Sequence, residues 1–314
     1  MQIPEPLRAA LDEETGRFPF RDLAAAADAL SRSYRDAPAS PHRPFTPLEA
    51  LTYALTRMPA TYAAARFVFS KTPAQPRVLL DLGAGTGAIA WAAAAQWPGL
   101  ERIVCLERDP EMAALARTLL RRASFPVPFE FLTADAAALL PLAPCDIAVF
   151  SYSLGEFPAP RRAPAVEAAF RAAQQSVIVL EPGSQAGFAV LRNARSTLIG
   201  QGALIAAPCP HSGACPMPPG DWCHFAARLE RGALLRRLKT SQLSYEDEKF
   251  SYTVATRHAP TPGQAVVIRR PVQHPGLIEL SLCTPDGLAE ARIRKRDPLW
   301  RAARYASWGS HWPG

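Results

Sequence analysis

The chain has 314 residues and a mass of 34.0 kDa, enough for one elaborated α/β unit with a large core. Hydrophobic residues make up 48% of it and charged residues 20%, which excludes wholesale disorder. No apolar run is as long as a membrane-spanning helix. The first residues lack both the basic-then-apolar order of a secretory signal and the acid-poor composition of an organelle presequence. We therefore expect a cytoplasmic protein without membrane contacts, and a monomer.

The positive charge of the chain is concentrated near its end. The net charge is +7, and residues 223–314 hold 15 Lys and Arg against 8 Asp and Glu. This third therefore carries the whole excess, and residues 1–222 are neutral overall. The asymmetry indicates a polyanionic partner, nucleic acid first, although a solvated basic face would have the same composition.

The first 70 residues are predicted to be helical. Thr46-Pro47-Leu48-Glu49 is a capping box with proline at the first helical position. An apolar stripe at helical spacing follows it, made of Leu48, Leu51, Leu55 and Met58. Residues 34–47 hold four prolines and are predicted to form a connector.

From Arg77 onwards the pattern changes to alternating strands and helices. Largely apolar strands are predicted at 78–82, 103–107, 129–132, 146–150 and 176–180. Helices are predicted between them, at 88–96, 109–122 and 166–173. Apolar strands separated by helices predict a parallel sheet that is covered on both faces.

A glycine-rich loop follows the first of these strands. The segment 83–87 lies between a strand and a helix, so its backbone N–H groups and the helix N-terminus would surround a ligand. Gly83-x-Gly85-x-x-Ala88 also satisfies the dinucleotide fingerprint, so the loop alone leaves a nicotinamide cofactor open. Glu107 ends the second strand, where a carboxylate can accept hydrogen bonds from two ribose hydroxyls.

The loop and two acidic residues together are more specific. Asp81-Leu82-Gly83-Ala84-Gly85-Thr86-Gly87 resembles the first motif of class I S-adenosylmethionine-dependent methyltransferases, and the similarity extends to Glu107 and Asp135. The resemblance implies an α/β, Rossmann-like, doubly wound sheet that binds S-adenosylmethionine. In that family the acidic positions hold the ribose and the adenine environment. The cofactor-binding residues so predicted are Asp81, Gly83, Gly85, Thr86, Gly87, Glu107, Asp135 and Ser151.

The segment after the fourth strand leaves catalysis open. Residues 151–156 lack the Asn/Asp-Pro-Pro-aromatic motif of amino-methylating enzymes, and no cysteine nucleophile of pyrimidine-carbon methyltransferases is evident. Glu156 or Tyr152 is a weak candidate for a base near the cofactor. A role in starting the next helix explains these residues equally well, so no catalytic residue is assigned.

The six cysteines divide into two groups. Cys105 and Cys145 lie in predicted strands and are interpreted as ordinary apolar residues. Three of the others lie in one 15-residue stretch, inside a Pro/Gly-rich loop with little apolar periodicity. A metal centre would organise such a loop. The second group consists of Cys209, Cys215, Cys223 and Cys283.

The metal is not decided by spacing alone. In a reducing compartment disulfides are disfavoured, which leaves thiolate ligation or free thiols. The wide gaps suit an iron–sulfur cluster on four thiolates better than the paired knuckles of a zinc site. His211 and His224 keep a mixed Cys/His zinc site open.

Several further motifs point to one family. They are Arg57–Tyr62, Glu181-Pro182-Gly183, Ala207-Pro208-Cys209-Pro210-His211, Asp221-Trp222-Cys223-His224-Phe225, Tyr245–Tyr252 and Trp308-Gly309. They resemble the methyltransferase-like assembly factors of the mitochondrial small ribosomal subunit, in particular their bacterial relatives. The resemblance implies a 4Fe–4S cluster on the four cysteines, bound S-adenosylmethionine, and docking on small-subunit ribosomal RNA during assembly or translation.

These observations divide the chain into four parts. We predict an N-terminal helical region at 1–70, a cofactor-binding core at 71–200, a cysteine-rich cluster-binding insertion at 201–240, and C-terminal strands with a basic extension at 241–314 that complete the sheet. Because Cys283 lies in the basic third, the cluster would fix an RNA-binding surface. The alternatives are an active rRNA methyltransferase and a redox- or iron-responsive regulator of ribosome binding.

The basic residues are predicted to meet RNA from two places. A helix beside the cysteine loop is expected to carry the first group, Arg228, Arg231, Arg236, Arg237 and Lys239. The pairs and runs at 269–270 and 292–296 flank strand-like segments. Arginine binds phosphate in a bidentate way, and the aromatic residues Trp300, Tyr305 and Trp308 would either stack on bases or pack in the protein.

Overall fold

The computed structural model describes residues 1–36, 43–138, 141–239, 242–258 and 264–313. The predicted connector at 34–47 therefore lies partly outside the described residues. The N-terminal helices are α1 (Glu5–Thr15), α2 (Phe20–Asp36), α3 (Pro47–Thr56) and α4 (Met58–Phe69). The predicted capping box of α3 is confirmed, because Thr46 Oγ1 accepts a hydrogen bond from the Glu49 backbone at 3.3 Å and Glu49 Oε2 accepts one from the Thr46 backbone at 2.8 Å.

The main sheet contains the predicted strands and three more. Its strands are β1 (Val78–Leu82), β2 (Arg102–Glu107), β3 (Phe129–Thr133), β4 (Cys145–Ser151), β5 (Ala173–Pro182), β6 (Leu204–Ala207), β7 (Phe225–Glu230) and β8 (Tyr245–Thr256). The helices that alternate with them are α5 (Ala88–Gln96), α6 (Pro110–Arg122), α7 (Ala159–Ala172), α8 (Gln185–Gly200) and α9 (Ala233–Leu238).

The strand order identifies the architecture. Within the described residues the order is β3-β2-β1-β4-β5-β8-β6, and β7 pairs with the first half of β8. Strands β1 to β5 are parallel, whereas β8 runs antiparallel to β5, β6 and β7. This sheet of five parallel strands with helices between them confirms the predicted α/β fold class. The central strands are buried along nearly their whole length, as expected for a sheet covered on both faces.

The end of the chain forms a second sheet instead of completing the first. Of the segment 241–314, β8 joins the main sheet, while β9 (Ala265–Val267), β10 (Val272–His274), β11 (Leu277–Thr284), β12 (Gly287–Arg294) and β13 (His311–Trp312) pair with one another. A two-residue turn joins β11 to β12, so these strands pair locally as a hairpin. Helix α10 (Trp300–Tyr305) packs on β12 over a separate small core.

The prediction that Arg228 and Arg231 lie on a helix is wrong. Arg228 lies in β7 and Arg231 follows that strand, while the short helix α9 carries Arg236 and Arg237 and ends just before Lys239. Burial alternates along β7 with the period of a strand. Alanines in this segment weaken the apolar–polar contrast that would have revealed the period. No helix in the described part of the chain is long and apolar enough to cross a membrane.

Candidate functional site

A cavity of about 510 Å³ lies at the carboxyl ends of the parallel strands. Strand β1 sits between β2 and β4, so the cavity occupies the point where the strand order reverses, the usual ligand site of open α/β sheets. Five of the predicted cofactor residues line it, namely Gly83, Gly85, Glu107, Asp135 and Ser151. Their roles remain predictions, but the fold brings them together.

The loop after β1 requires glycine for two different reasons. Gly83, Gly85 and Gly87 have φ values of 88°, 53° and 88°, in the left-handed region that other residues avoid. At Gly83 a Cβ atom would also lie 2.4 Å from the Cβ of Ser153, whose hydroxyl donates to the Leu82 carbonyl at 2.5 Å. At Gly85 a Cβ would meet nothing within 4 Å, so this glycine faces open space.

Glu107 joins the glycine loop to the next helix. Its Oε2 accepts a hydrogen bond from the Gly85 backbone at 2.7 Å, and its Oε1 accepts one from the Asp109 backbone at 2.8 Å. Burial raises the pKa of Glu107, and these two backbone bonds oppose the rise. Each carboxylate oxygen can accept a second bond, so Glu107 retains the capacity to hold ligand hydroxyls. Asp135 is also oriented by its backbone, since Oδ1 accepts from the Ala137 N–H at 2.9 Å.

Three predicted cofactor residues do not line the cavity. Asp81 is fully buried, while Thr86 and Gly87 lie in the turn that starts α5. Burial, with Glu107 nearby, raises the pKa of Asp81 well above its usual value. Both carboxyl oxygens of Asp81 and the hydroxyl of Ser151 are buried without a hydrogen-bond partner among the described residues. Of these atoms only the Ser151 hydroxyl belongs to a residue that lines the cavity, where a ligand with a hydrogen-bond donor would satisfy it.

The two weak catalytic candidates both reach the cavity but are engaged elsewhere. Tyr152 has a φ of 56°, and its hydroxyl donates to Glu248 Oε1 at 2.9 Å. Burial raises the pKa of Tyr152 well above its usual value, which opposes a role as a base. Glu156 is 56% exposed and forms an ion pair with Arg108 at 3.1 Å. Neither residue is therefore shown to act in catalysis.

Glu181, at the end of β5, bonds to the segment 151–156 that follows β4. Sequence reasoning did not single it out as a site residue. Its Oε1 accepts a hydrogen bond from the Gly155 backbone at 3.2 Å, and the residue is only 2% exposed. Burial raises its pKa to about 7. A carboxylate at the end of an apolar strand was the available signal.

Side chains from the N-terminal helices close the cavity and were missed by sequence reasoning. They are Ser33 on α2, Phe45 before α3 and Tyr53 on α3. The Phe45 backbone donates to Asp109 Oδ2 at 2.9 Å, across 64 residues of chain. The helical region is thus part of the candidate cofactor site.

A second, much smaller cavity of about 30 Å³ is lined by all four predicted cluster cysteines. Three come from the loop between β6 and β7, and Cys283 comes from β11 of the second sheet. Burial raises the pKa of the Cys283 thiol to about 12. Within the described ranges, no group of three or more His, Cys, Asp or Glu side chains is arranged to hold a single metal ion.

Arg195 on α8 is the buried cation of this second cavity. It is 4% exposed, and its Nη atoms donate to the carbonyls of Gly213 at 2.8 Å and His211 at 2.9 Å. Its Nε atom is buried and has no partner among the described residues. Sequence reasoning missed it, although an arginine within the apolar stripe of α8, between Leu191 and Leu198, was a readable signal.

The cysteine loop is also fixed to both sheets. Ser251 on β8 donates to the Cys223 carbonyl at 2.7 Å. His224 stacks on Trp222 and makes a T-shaped contact with Trp308, whose indole donates to the Ile268 carbonyl at 3.0 Å. Trp308 therefore packs in the protein, and these contacts hold the loop between the main sheet and the second one.

Several predicted RNA-binding cations are neutralised within the protein. Arg228 forms a double hydrogen bond with Asp247, with both distances at 2.7 Å. Arg231 and Lys239 both contact Glu246, at 2.6 and 2.8 Å. An acidic strand opposite β7 thus binds these three cations, which makes them poor phosphate ligands.

Comparison with known proteins gives a family and two kinds of relatives. The family model described as "Mitochondrial small ribosomal subunit Rsm22" matches residues 47–313. The human protein "Ribosome assembly protein METTL17, mitochondrial" is 30% identical over 293 residues, which cover 84% of this chain and 62% of that protein. This chain therefore spans less than two thirds of the length of that relative.

Solved methyltransferases are more distant. Precorrin-6y C5,15-methyltransferase from Geobacter metallireducens is 18% identical, with 62% of this chain and 86% of that one covered at a TM-score of 0.42. Magnesium protoporphyrin IX methyltransferase from Synechocystis, solved with bound S-adenosylmethionine, is 13% identical, with 74% and 97% covered at a TM-score of 0.41.

The prediction of a cytoplasmic location is wrong. The family description and the name of the human relative both refer to mitochondrial proteins. The acidic first residues were interpreted as evidence against an organelle signal, and the comparisons overturn that interpretation.

Proposed function

Because this chain belongs to the family of the mitochondrial small ribosomal subunit protein Rsm22, we propose that it binds S-adenosylmethionine and an iron–sulfur cluster and acts in assembly of the small ribosomal subunit. The match over residues 47–313 is the observation that carries the proposal, since it includes all the lining residues of the smaller cavity and all but Ser33 and Phe45 of the larger one. The name of the human relative, a ribosome assembly protein, supports the same role.

The larger cavity fits S-adenosylmethionine. Glu107 would accept the ribose hydroxyls, and Asp135 would face the adenine. The open side of Gly85 lets the cofactor approach the backbone, and the unpartnered hydroxyl of Ser151, which lines the cavity, would accept a hydrogen bond from one of its donor groups. Thr86 and Gly87 would act through the turn that begins α5, without lining the cavity.

We propose the four cysteines that line the smaller cavity as the ligands of a 4Fe–4S cluster. Four thiols line this cavity, which is the number of thiolates that such a cluster takes as ligands. Cys209, Cys215, Cys223 and Cys283 would hold it as thiolates, whose negative charge the buried Arg195 would partly compensate. The cluster would supply a covalent link between the cysteine loop and β11, which makes its role structural. A mixed zinc site with His211 or His224 is the alternative outcome.

The remaining positive charge supports binding to small-subunit rRNA. The second sheet and α10 hold more Lys and Arg than Asp and Glu, and Cys283 connects this unit to the cysteine loop. The engaged state of Tyr152 and Glu156 supports cofactor binding more than turnover. We therefore propose an assembly role that does not require methyl transfer.

Two measurements on the full chain test the proposal. Anaerobic purification with iron, sulfide and zinc quantified together is expected to give about four irons and four sulfides per chain. Stoichiometric zinc without sulfide would contradict the cluster. Cys223→Ser is expected to lose iron, and Cys105→Ser, a buried cysteine in β2, is the matched control that keeps it.

The ribosomal role is tested by sedimentation with purified small subunits. Wild-type protein is expected to co-sediment, and failure to do so would contradict the proposal. Methyl transfer from labelled cofactor to naked rRNA or immature subunits would instead establish the enzyme. Loss of co-sedimentation that follows oxygen bleaching of the cluster would establish the redox-responsive regulator.

A further inference from the structure

A run of cations on the second sheet makes no ion pair with any residue in the described ranges. The run covers the end of β12, the turn after it and α10. Its members are Arg294, Lys295, Arg296, Arg301 and Arg304, and all five are exposed. The acid within the run, Asp297, accepts a hydrogen bond from the Leu299 backbone at 2.8 Å, just before α10. These cations, with Tyr305, form what we call the 294–305 surface.

Helix α10 turns three of these side chains to solvent together. Ala303 is fully buried, and Trp300 packs against the second core, so this side of the helix faces inwards. Arg301, Arg304 and Tyr305 are spaced by three and four residues and share the other side. Tyr305 is 77% exposed, an unusual position for a large aromatic side chain unless it has a partner.

The chemistry of this surface fits one class of nucleic acid. Unpaired guanidinium groups bind phosphates, and an exposed aromatic ring stacks on a base. A duplex keeps its base faces inside the stack, so a duplex would satisfy the cations and leave Tyr305 without a partner. Arg228, by contrast, is paired with Asp247.

We propose that the 294–305 surface binds single-stranded RNA, with Tyr305 stacked on one base and Arg301 and Arg304 on the adjacent phosphates. The inference rests on the proposed association with small-subunit rRNA and adds its structural class. The segment that this surface binds is an unpaired loop or end of that RNA.

The test measures affinity of the full chain for a 12-nucleotide oligo(U) and for an RNA duplex of equal length over a series of salt concentrations. Tyr305→Ala is expected to weaken binding of the single strand about ten-fold, to leave the salt slope unchanged, and to spare the duplex. Tyr305→Phe keeps the ring and is expected to bind as the wild type does. Arg301→Ala with Arg304→Ala is expected to lower the salt slope by about 1.4, because each phosphate contact on a single strand contributes about 0.7.

Arg292→Ala is the matched control. Arg292 is an exposed arginine of the same unit that Glu279 holds at 3.0 Å, so its loss is expected to leave both affinity and slope nearly unchanged. Thermal unfolding checks the fold, and the exposure of Tyr305 predicts an unchanged midpoint for Tyr305→Ala.

Each outcome bears on a different statement. Wild-type protein that binds no RNA overturns both this inference and the proposed rRNA binding. Wild-type binding with no effect of Tyr305→Ala overturns the inference alone, as does an equal loss for single strand and duplex. If Tyr305→Ala abolished co-sedimentation with small subunits but left RNA affinity unchanged, the surface would bind a ribosomal protein instead. That result would also overturn the inference.

Discussion

The loop after β1 allows two kinds of glycine requirement to be measured separately. Gly83→Ala introduces a Cβ in the left-handed region, at a cost of about 1–2 kcal/mol, and places it 2.4 Å from the Cβ of Ser153. Ser153 cannot move freely because its hydroxyl bonds to the Leu82 carbonyl, so overpacking adds about 1–3 kcal/mol. We expect Gly83→Ala to lower the free energy of unfolding by about 2–5 kcal/mol.

Two other glycines are the controls. Gly85 has a φ of 53° but open space around its Cβ position. Gly85→Ala therefore introduces backbone strain alone and is expected to lower the free energy of unfolding by only about 1–2 kcal/mol. Gly99 is exposed and has neither a positive φ nor a close neighbour, so Gly99→Ala is expected to stay within about 1 kcal/mol of wild type. Gly85→Ala should still impair cofactor binding, because the new methyl group enters the cavity.

Urea unfolding of the single variants and of a double variant decides the matter. Ser153→Gly removes the atom that the new Cβ would meet. It should therefore lower the free energy of unfolding less in the Gly83→Ala background than in the wild type, with a coupling energy of about 1–3 kcal/mol. Additive effects, or equal losses for Gly83→Ala and Gly85→Ala, would show that the close approach at Gly83 has no energetic consequence.

Three further variants test buried polar groups. Glu181 holds its proton to about pH 7 when folded, above its ordinary pKa of 4.5, so wild-type stability should fall by up to about 3 kcal/mol as pH rises through this range. Glu181→Gln should flatten that part of the urea-unfolding pH profile, and an unchanged profile would contradict the assignment. Arg195→Met should cost about 3 kcal/mol in urea, since two carbonyls lose a charged donor, whereas exposed Arg192→Met on the same helix should cost less than about 0.5 kcal/mol. Tyr152→Phe leaves Glu248 without its donor and should cost about 1–3 kcal/mol, and wild-type stability in this variant would show the bond to be neutral.

Local patterns accounted for the elements that surround the candidate cofactor cavity. The capping box at Thr46, the apolar strand at 78–82 and the glycine loop after it were all predicted, because caps, periodicity and turn chemistry depend on residues a few positions apart. The same reasoning failed at β7, where alanines hide the alternation. Weak contrast, rather than distance, was the cause there.

The sequence by itself determined the fold class and the glycine loop after β1, and it singled out four candidate cysteines. Only the tertiary structure brought Cys283 to the cavity of the other three, closed the cofactor site with Phe45 and Tyr53, and paired Arg228 with Asp247. It also showed that Arg195 bonds to the cysteine loop and that Glu181 bonds to the segment after β4. These contacts depend on which strands pair and which helices cover them, and residues far apart along the chain carry no shared local pattern that would announce their meeting.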